Sequence, residues 1–159
     1  MKKIAFVLIA LMASVFHAEA QEKKLLTAGT DVPVVATEGI NADVLTEGQM
    51  IEMVTADDVK LESGEIAIPK GSQVSVRVRT GLHQRVLANQ KRRLIIDIKD
   101  VKLPNGKKVA LTNGVASFTV GKDTGDLDAV PLKYVSKKHL IPTDYVMHAK
   151  VDVSTDISK

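Results

Sequence analysis

Cysteine is absent from the chain, and so is tryptophan. Without cysteine there is no disulfide framework, no thiolate metal site and no thiol catalysis, so packing alone has to hold the fold. Aromatic residues are few. Phe6 and Phe16 fall in an N-terminal apolar stretch, which leaves Phe118, Tyr134 and Tyr145 for a folded domain. Sugar grooves and single-strand nucleic-acid platforms rely on stacking faces, and this chain can offer very few, which argues against nucleic acid as a partner. A dominant charge is also missing. Setting aside Lys2, Lys3 and Glu19, the 22 basic and 19 acidic residues fall to 20 and 18, far from a global polycation.

Long hydrophobic runs are missing except for Ile4 to Val15. That run is short of the ~20 apolar residues needed to span a bilayer. Preceded by Lys2 and Lys3 and followed by Ala18, Glu19 and Ala20, it reads as a secretory signal over residues 1–20, cleaved before Gln21. The expectation is an exported protein, periplasmic or secreted, without a transmembrane anchor. Residues 21–159 then make one domain, with a polar, frayed tail from about Ser154.

What the chain does contain is alternation. Val32, Val34 and Ala36 are apolar at every second position, as are Val74, Val76 and Val78, and Leu94, Ile96 and Ile98, the last set alternating against Ile95, Asp97 and Lys99. Period two is the mark of half-buried strands. Pro33 lies on the opposite phase of the first of these, which predicts an edge strand or a bulge, because proline cannot donate to a ladder. Ser63-Gly64 and Asn105-Gly106 predict tight hairpins. Met50 to Val54 fits a strand or a short helix. Residues 131–140 fit a short helix or an irregular strand.

Two units recur. Asp58-Val59-Lys60-Leu61 returns as Asp100-Val101-Lys102-Leu103, each opening a hairpin. A small-residue turn feeding a strand appears as Leu26 to Ala36, again as Ile68 to Val78, and faintly as Ile141 to Val153, with Asp144 in place of glycine. An internal repeat of this kind, about eight short strands and almost no helical period predict an all-β fold, a small barrel or sandwich.

Candidate chemistry is sparse. Asp123-Thr124-Gly125 matches the aspartic-protease tripeptide, which a homodimer would need twice. Its setting, Gly121-Lys122 before and Asp126 after, is that of a turn-rich acidic loop. Asp123, Asp126 and Asp128 lack a calcium-loop spacing. His83, His139 and His148 show no metal spacing, and His148 is out of phase with Met147 and Ala149, so it should face solvent or a partner. No cofactor is expected, and no enzyme.

The one cluster that points to binding is basic: Arg77 and Arg79 on the outward phase of a strand, then Arg85, Lys91, Arg92 and Arg93 in the connection after it. Such a group can hold an anionic glycan, lipid or other polyanion. It can equally be a solvated face that guards a strand from edge pairing.

Ala28-Gly29-Thr30-Asp31-Val32-Pro33-Val34 and the later Ile68-Pro69-Lys70-Gly71-Ser72 resemble paired segments in the C-terminal β-barrel domain of TrbI-family conjugation and type IV secretion scaffold proteins. The resemblance covers residues 26–111 through short motifs. It implies a periplasmic β-barrel that assembles with other envelope proteins and brings no catalytic residues. The expected function is therefore a non-catalytic accessory or assembly module acting through contacts with envelope proteins or with itself. The alternative is a binder of an anionic envelope polymer or lipid through the arginine cluster, and a dimeric protease comes third.

Overall fold

In the computed structural model, residues 23–83, 92–121 and 129–158 are described. The proposed signal, Arg85, Lys91 and the Asp123-Thr124-Gly125 loop lie outside them.

The fold is all-β. Its centre is a ring of six strands: β2 (Asp31–Val35), β3 (Met50–Thr55), β6 (Gln73–Thr80), β7 (Arg93–Lys102), β8 (Lys108–Thr112) and β13 (Met147–Val151). The order β7-β6-β3-β2-β13-β8 is closed by a further β7–β8 pairing, every neighbour antiparallel. Closure removes the free edges that an open sheet would expose. Two register shifts between β6 and β7, at Ser75/Val76 and Val78/Thr80, supply the local bends a small ring needs.

The ten-residue β7 is long enough to serve two neighbours on one side. Its end, Asp100 to Lys102, pairs with β8, and its start, Arg93 to Asp97, pairs with β9 (Val115–Thr119). β10 (Ala129–Pro131) then adds to β9 in parallel, so the eight-stranded sheet carries a two-stranded branch off the ring. Gly114 sits at the fork. A Cβ there would come within 2.7 Å of both the Ile98 and the Ala149 Cβ atoms, and only glycine fits.

Three small pairs complete the molecule: β4 (Val59–Lys60) with β5 (Ile66–Ile68), β11 (Lys133–Val135) with β12 (Lys138–Leu140), and β1 (Leu25–Leu26) with β14 (Thr155–Asp156). The last pair ties down the segment expected to fray. Leu25 and Leu26 pair with Asp156 and Thr155, Ile157 N–H donates to the Lys24 carbonyl at 2.8 Å, and Ile157 packs against the core.

The alternation read from the sequence is the core. Val32, Val34, Val74, Val76, Val78, Leu94 and Ile96 are fully buried, and they join Phe118, Ile141 and Ala149 in one hydrophobic cluster. Burying each valine, leucine or isoleucine contributes roughly 1.5–3 kcal/mol, which is how a chain without staples closes.

The repeats are structural. In Thr27-Ala28-Gly29-Thr30 and Pro69-Lys70-Gly71-Ser72 the fourth N–H bonds back to the first carbonyl, at 3.3 and 3.2 Å, with glycine at φ 84° and 80°. That is a type II turn, which demands positive φ at its third residue. Thr46-Glu47-Gly48-Gln49 builds the same turn, a copy the sequence signals through Leu45-Thr46-x-Gly48 beside Leu26-Thr27-x-Gly29. Residues 141–145 keep the apolar phase without a positive φ.

Positive φ also recurs 42 residues apart at Gly29, Gly71 and Asn113. After each, the next carbonyl accepts from the neighbouring strand: Thr30 from Val151, Ser72 from Thr55, Gly114 from Ile98.

The hairpins expected at Ser63-Gly64 and Asn105-Gly106 form as three-residue loops, with Gly64 and Gly106 at φ 86° and 84° and their N–H groups donating to the Leu61 and Leu103 carbonyls. Two expectations change. β2 is not an edge strand. Pro33 is tolerated because its nitrogen faces the β3 side, where the ladder holds only Val34 and Val35, while its carbonyl accepts from Ala56. Residues 131–140 are neither helix nor irregular strand but the tip of β10 and the β11–β12 hairpin.

Candidate functional site

The described residues contain three aromatics, and the fold brings them to one place. Phe118 points inward from β9. Tyr145, in the connection from β12 to β13, lies edge-on to it, with ring centres 5.9 Å apart at 83°. Tyr134, on β11, faces the same space across a cleft of about 950 Å³. Val120, Val130, Pro131, Leu132 and Pro142 supply most of the remaining wall. A cleft of this volume with apolar walls and a few polar groups has the make-up of a ligand site.

The polar groups come from His139, Lys133 and Asp144. His139 pairs with Tyr134 across the hairpin, with ring centres 5.0 Å apart. Its position is fixed from behind by Asp43 in the 3-10 turn Ala42–Val44, which Asn41 caps. The Asp43 carboxylate accepts from the His139 backbone N–H and meets the ring Nδ1, both at 2.8 Å. His83 Nε2 lies 3.9 Å from the same carboxylate. The backbone bond from His139 is the main reason that the Asp43 carboxyl is held below the usual range; the two histidine rings add to it, and partial burial works against it. With Nδ1 engaged, Nε2 is the ring nitrogen left for the cleft. At the rim Lys133 Nζ binds Asp144 at 2.9 Å and keeps that carboxyl low as well.

The hairpin that carries Tyr134 and His139 is unusual in its turn. Ser136 and Lys137 have φ of 49° and 64°. Two consecutive left-handed residues make the mirror-image type I′ turn that asparagine and glycine normally occupy. Side chains there cost roughly 1–2 kcal/mol each relative to ordinary backbone. Apart from the single Asn41–Leu140 bridge, the hairpin has no other sheet neighbour among the described residues. Tyr134 and Val135 are 66% and 51% exposed.

The arginines read from the sequence lie elsewhere. Arg77 and Arg79 do share the outward face of β6, opposite buried Val76 and Val78. Arg79 is engaged with Asp97 of β7, Nη2 to Oδ1 at 2.5 Å and Nε to Oδ2 at 3.0 Å, and Lys99 lies 3.9 Å from the same carboxylate. Arg77 is in register with Asp97 and Met50. Arg92 is exposed, and Arg93 opens β7 opposite Thr119. Of the acidic residues near the cluster in sequence, Asp97 answers it directly. Asp100 binds Ser75 and Lys108, Asp58 takes the Lys70 N–H, and Glu65 pairs with Lys24. The face is thus of mixed charge. His148 is exposed as its phase predicts, with Nδ1 2.8 Å from Asp31.

Sequence reasoning did not find the cleft. Its walls come from residues 120–145, where alternation is weak, and its signal was the scarcity of aromatics combined with their late clustering. Among the described residues no group of three histidine, aspartate or glutamate side chains is placed to hold a metal ion, and no helix is long and apolar enough to cross a membrane. No protein-family model matches the chain and no curated protein matches its sequence, so what the cleft does rests on its own residues.

Proposed function

We propose that the protein is an exported, non-catalytic accessory module of the cell envelope, which works by contact through the end of the molecule that carries the cleft. The observation that carries this reading is the asymmetry of the surface. The ring is closed and its interior filled with aliphatics, whereas Tyr134, Tyr145, His139 and the exposed hairpin gather at one apolar opening. Among the described residues β10 pairs with β9 alone, so one side of its backbone has no strand partner there, although Pro131 removes one donor. A contact site of this kind needs an aromatic anchor in an apolar recess and a polar rim.

The export signal of residues 1–20 and the likeness to TrbI-family barrels support the envelope setting. A photo-crosslinking residue placed at Tyr134 in intact cells tests the reading. Adducts with another envelope protein, or with a second copy of the chain, are expected from position 134 and not from Lys60 on the far hairpin. Adducts from position 60 alone would refute it.

A second reading, binding of an anionic polymer through Arg77, Arg79, Arg92 and Arg93, is favoured by one observation: among the described residues no carboxylate pairs with Arg77 or Arg92. Such binding would collapse between low and moderate salt, while contact through the cleft would hardly respond.

A further inference from the structure

We propose that the β11–β12 hairpin docks on an anionic lipid surface, its tip entering the headgroup layer and the cleft behind it receiving an apolar chain. This rests on the reading that the cleft end is the working surface, though not on that surface meeting a protein.

Charge is the first argument. Residues 133–140 hold Lys133, Lys137 and Lys138 and no acidic residue. Among the described residues no carboxylate pairs with Lys137 or Lys138. Among the described residues, Asp144 is committed to Lys133 and Asp43 to His139. Lysines at a bilayer surface attract anionic lipids, while their aliphatic stems lie along the apolar boundary.

Residue type is the second argument. Tyr134 and Val135 stand exposed beside those lysines, and register places Val135 opposite Lys138 on one face. Tyrosine is a residue of the membrane–water boundary, where an apolar ring carries a polar tip. The turn points the same way. A hairpin freed of strain would carry Asn-Gly, but this one keeps a lysine at a left-handed position, so a cation stands at the outermost point.

Behind the tip, the cleft of about 950 Å³ opens beside Tyr134 with largely apolar walls. The arginine face of β6 and β7 has cations too. There Asp97 and Asp100 are interleaved, and among the described residues no exposed aromatic accompanies them.

The test is sedimentation of the protein, in the form the cell accumulates, with vesicles of phosphatidylglycerol and phosphatidylcholine or of phosphatidylcholine alone. Binding to the anionic vesicles is expected. It should fall about tenfold or more in Lys137→Glu/Lys138→Glu, fall clearly in Val135→Asp, and persist in Lys60→Glu/Lys102→Glu, which makes the same charge change away from the cleft. Melting curves of each variant establish that it is folded. Equal binding by Lys137→Glu/Lys138→Glu, or no preference for anionic vesicles, overturns the inference. Vesicles ignored while position 134 still crosslinks to a protein would remove the lipid and leave the contact reading. Vesicles bound with no protein adduct from position 134 would do the reverse.

Discussion

The six-stranded ring and the β11–β12 hairpin are built from the same chain by opposite rules. In the ring, inward positions are almost fully buried and, Thr55 apart, apolar, and strand-start glycines sit where a type II turn requires them. In the hairpin all three residues of β11 are exposed, the turn is made by Ser136 and Lys137, and the Asp43 and Asp144 carboxylates hold it through His139 and Lys133. A region that keeps an exposed tyrosine and a strained turn beside a ring of buried apolar side chains is where function is to be sought.

Substitutions can sharpen this contrast. The largest effect belongs in the ring: Ile96→Ala removes a fully buried side chain and should cost about 2–5 kcal/mol in urea unfolding. Next is Gly114→Ala at the fork, where the new methyl must displace Ile98 and Ala149; a loss of roughly 1–3 kcal/mol is expected. If either were neutral, the ring would not be the tightly packed scaffold described.

Asp43→Ala should cost about 1–2 kcal/mol, since a charged acceptor with two partners is lost. Because its folded pKa is lowered, the contribution of Asp43 is fully present above the ordinary carboxylate pKa and is lost as pH falls through the folded value. The wild-type protein should therefore lose stability in acid relative to Asp43→Ala, the two converging below the folded value. Unfolding curves at stepped pH measure this.

The hairpin turn offers an effect of opposite sign. Ser136→Asn/Lys137→Gly should raise stability by up to about 1 kcal/mol, because those residues accept the left-handed backbone that the natural pair strains to adopt. The same change removes a tip lysine, so it should weaken binding to anionic vesicles while raising the melting temperature. The smallest effect belongs to Arg79→Ala. That side chain is 54% exposed, and an ion pair at such a surface is worth about 0–1 kcal/mol.

The legibility of the sequence follows the same division. Strands such as Val74-Val76-Val78 were readable because burial on one face enforces period two. The outward phase of Arg77 and Arg79 was readable for the same reason. The turns at Gly29 and Gly71 were readable because positive φ selects glycine, and Thr46-Glu47-Gly48 carried the same cue in a less apolar setting. Closure of the ring was not legible: the β8–β13 pairing of Leu111 with Val151 joins distant residues and leaves no local trace. Nor was the β11–β12 hairpin, since neither face of β11 is buried enough to impose alternation and its turn lacks glycine. The cleft was missed because its walls are gathered from the chain just after β9, from β10, from the β11–β12 hairpin and from the approach to β13, whereas the arginine cluster was conspicuous as a run.

Native-state hydrogen exchange tests the contrast most directly. Amides of β6 and β7 should exchange only through global unfolding, with one common free energy, and those of Lys133 to Leu140 through a local opening of lower free energy that Asp43→Ala lowers further. Protection of the hairpin equal to that of the ring would contradict the account, because the hairpin would then be part of the scaffold rather than a surface held ready on it.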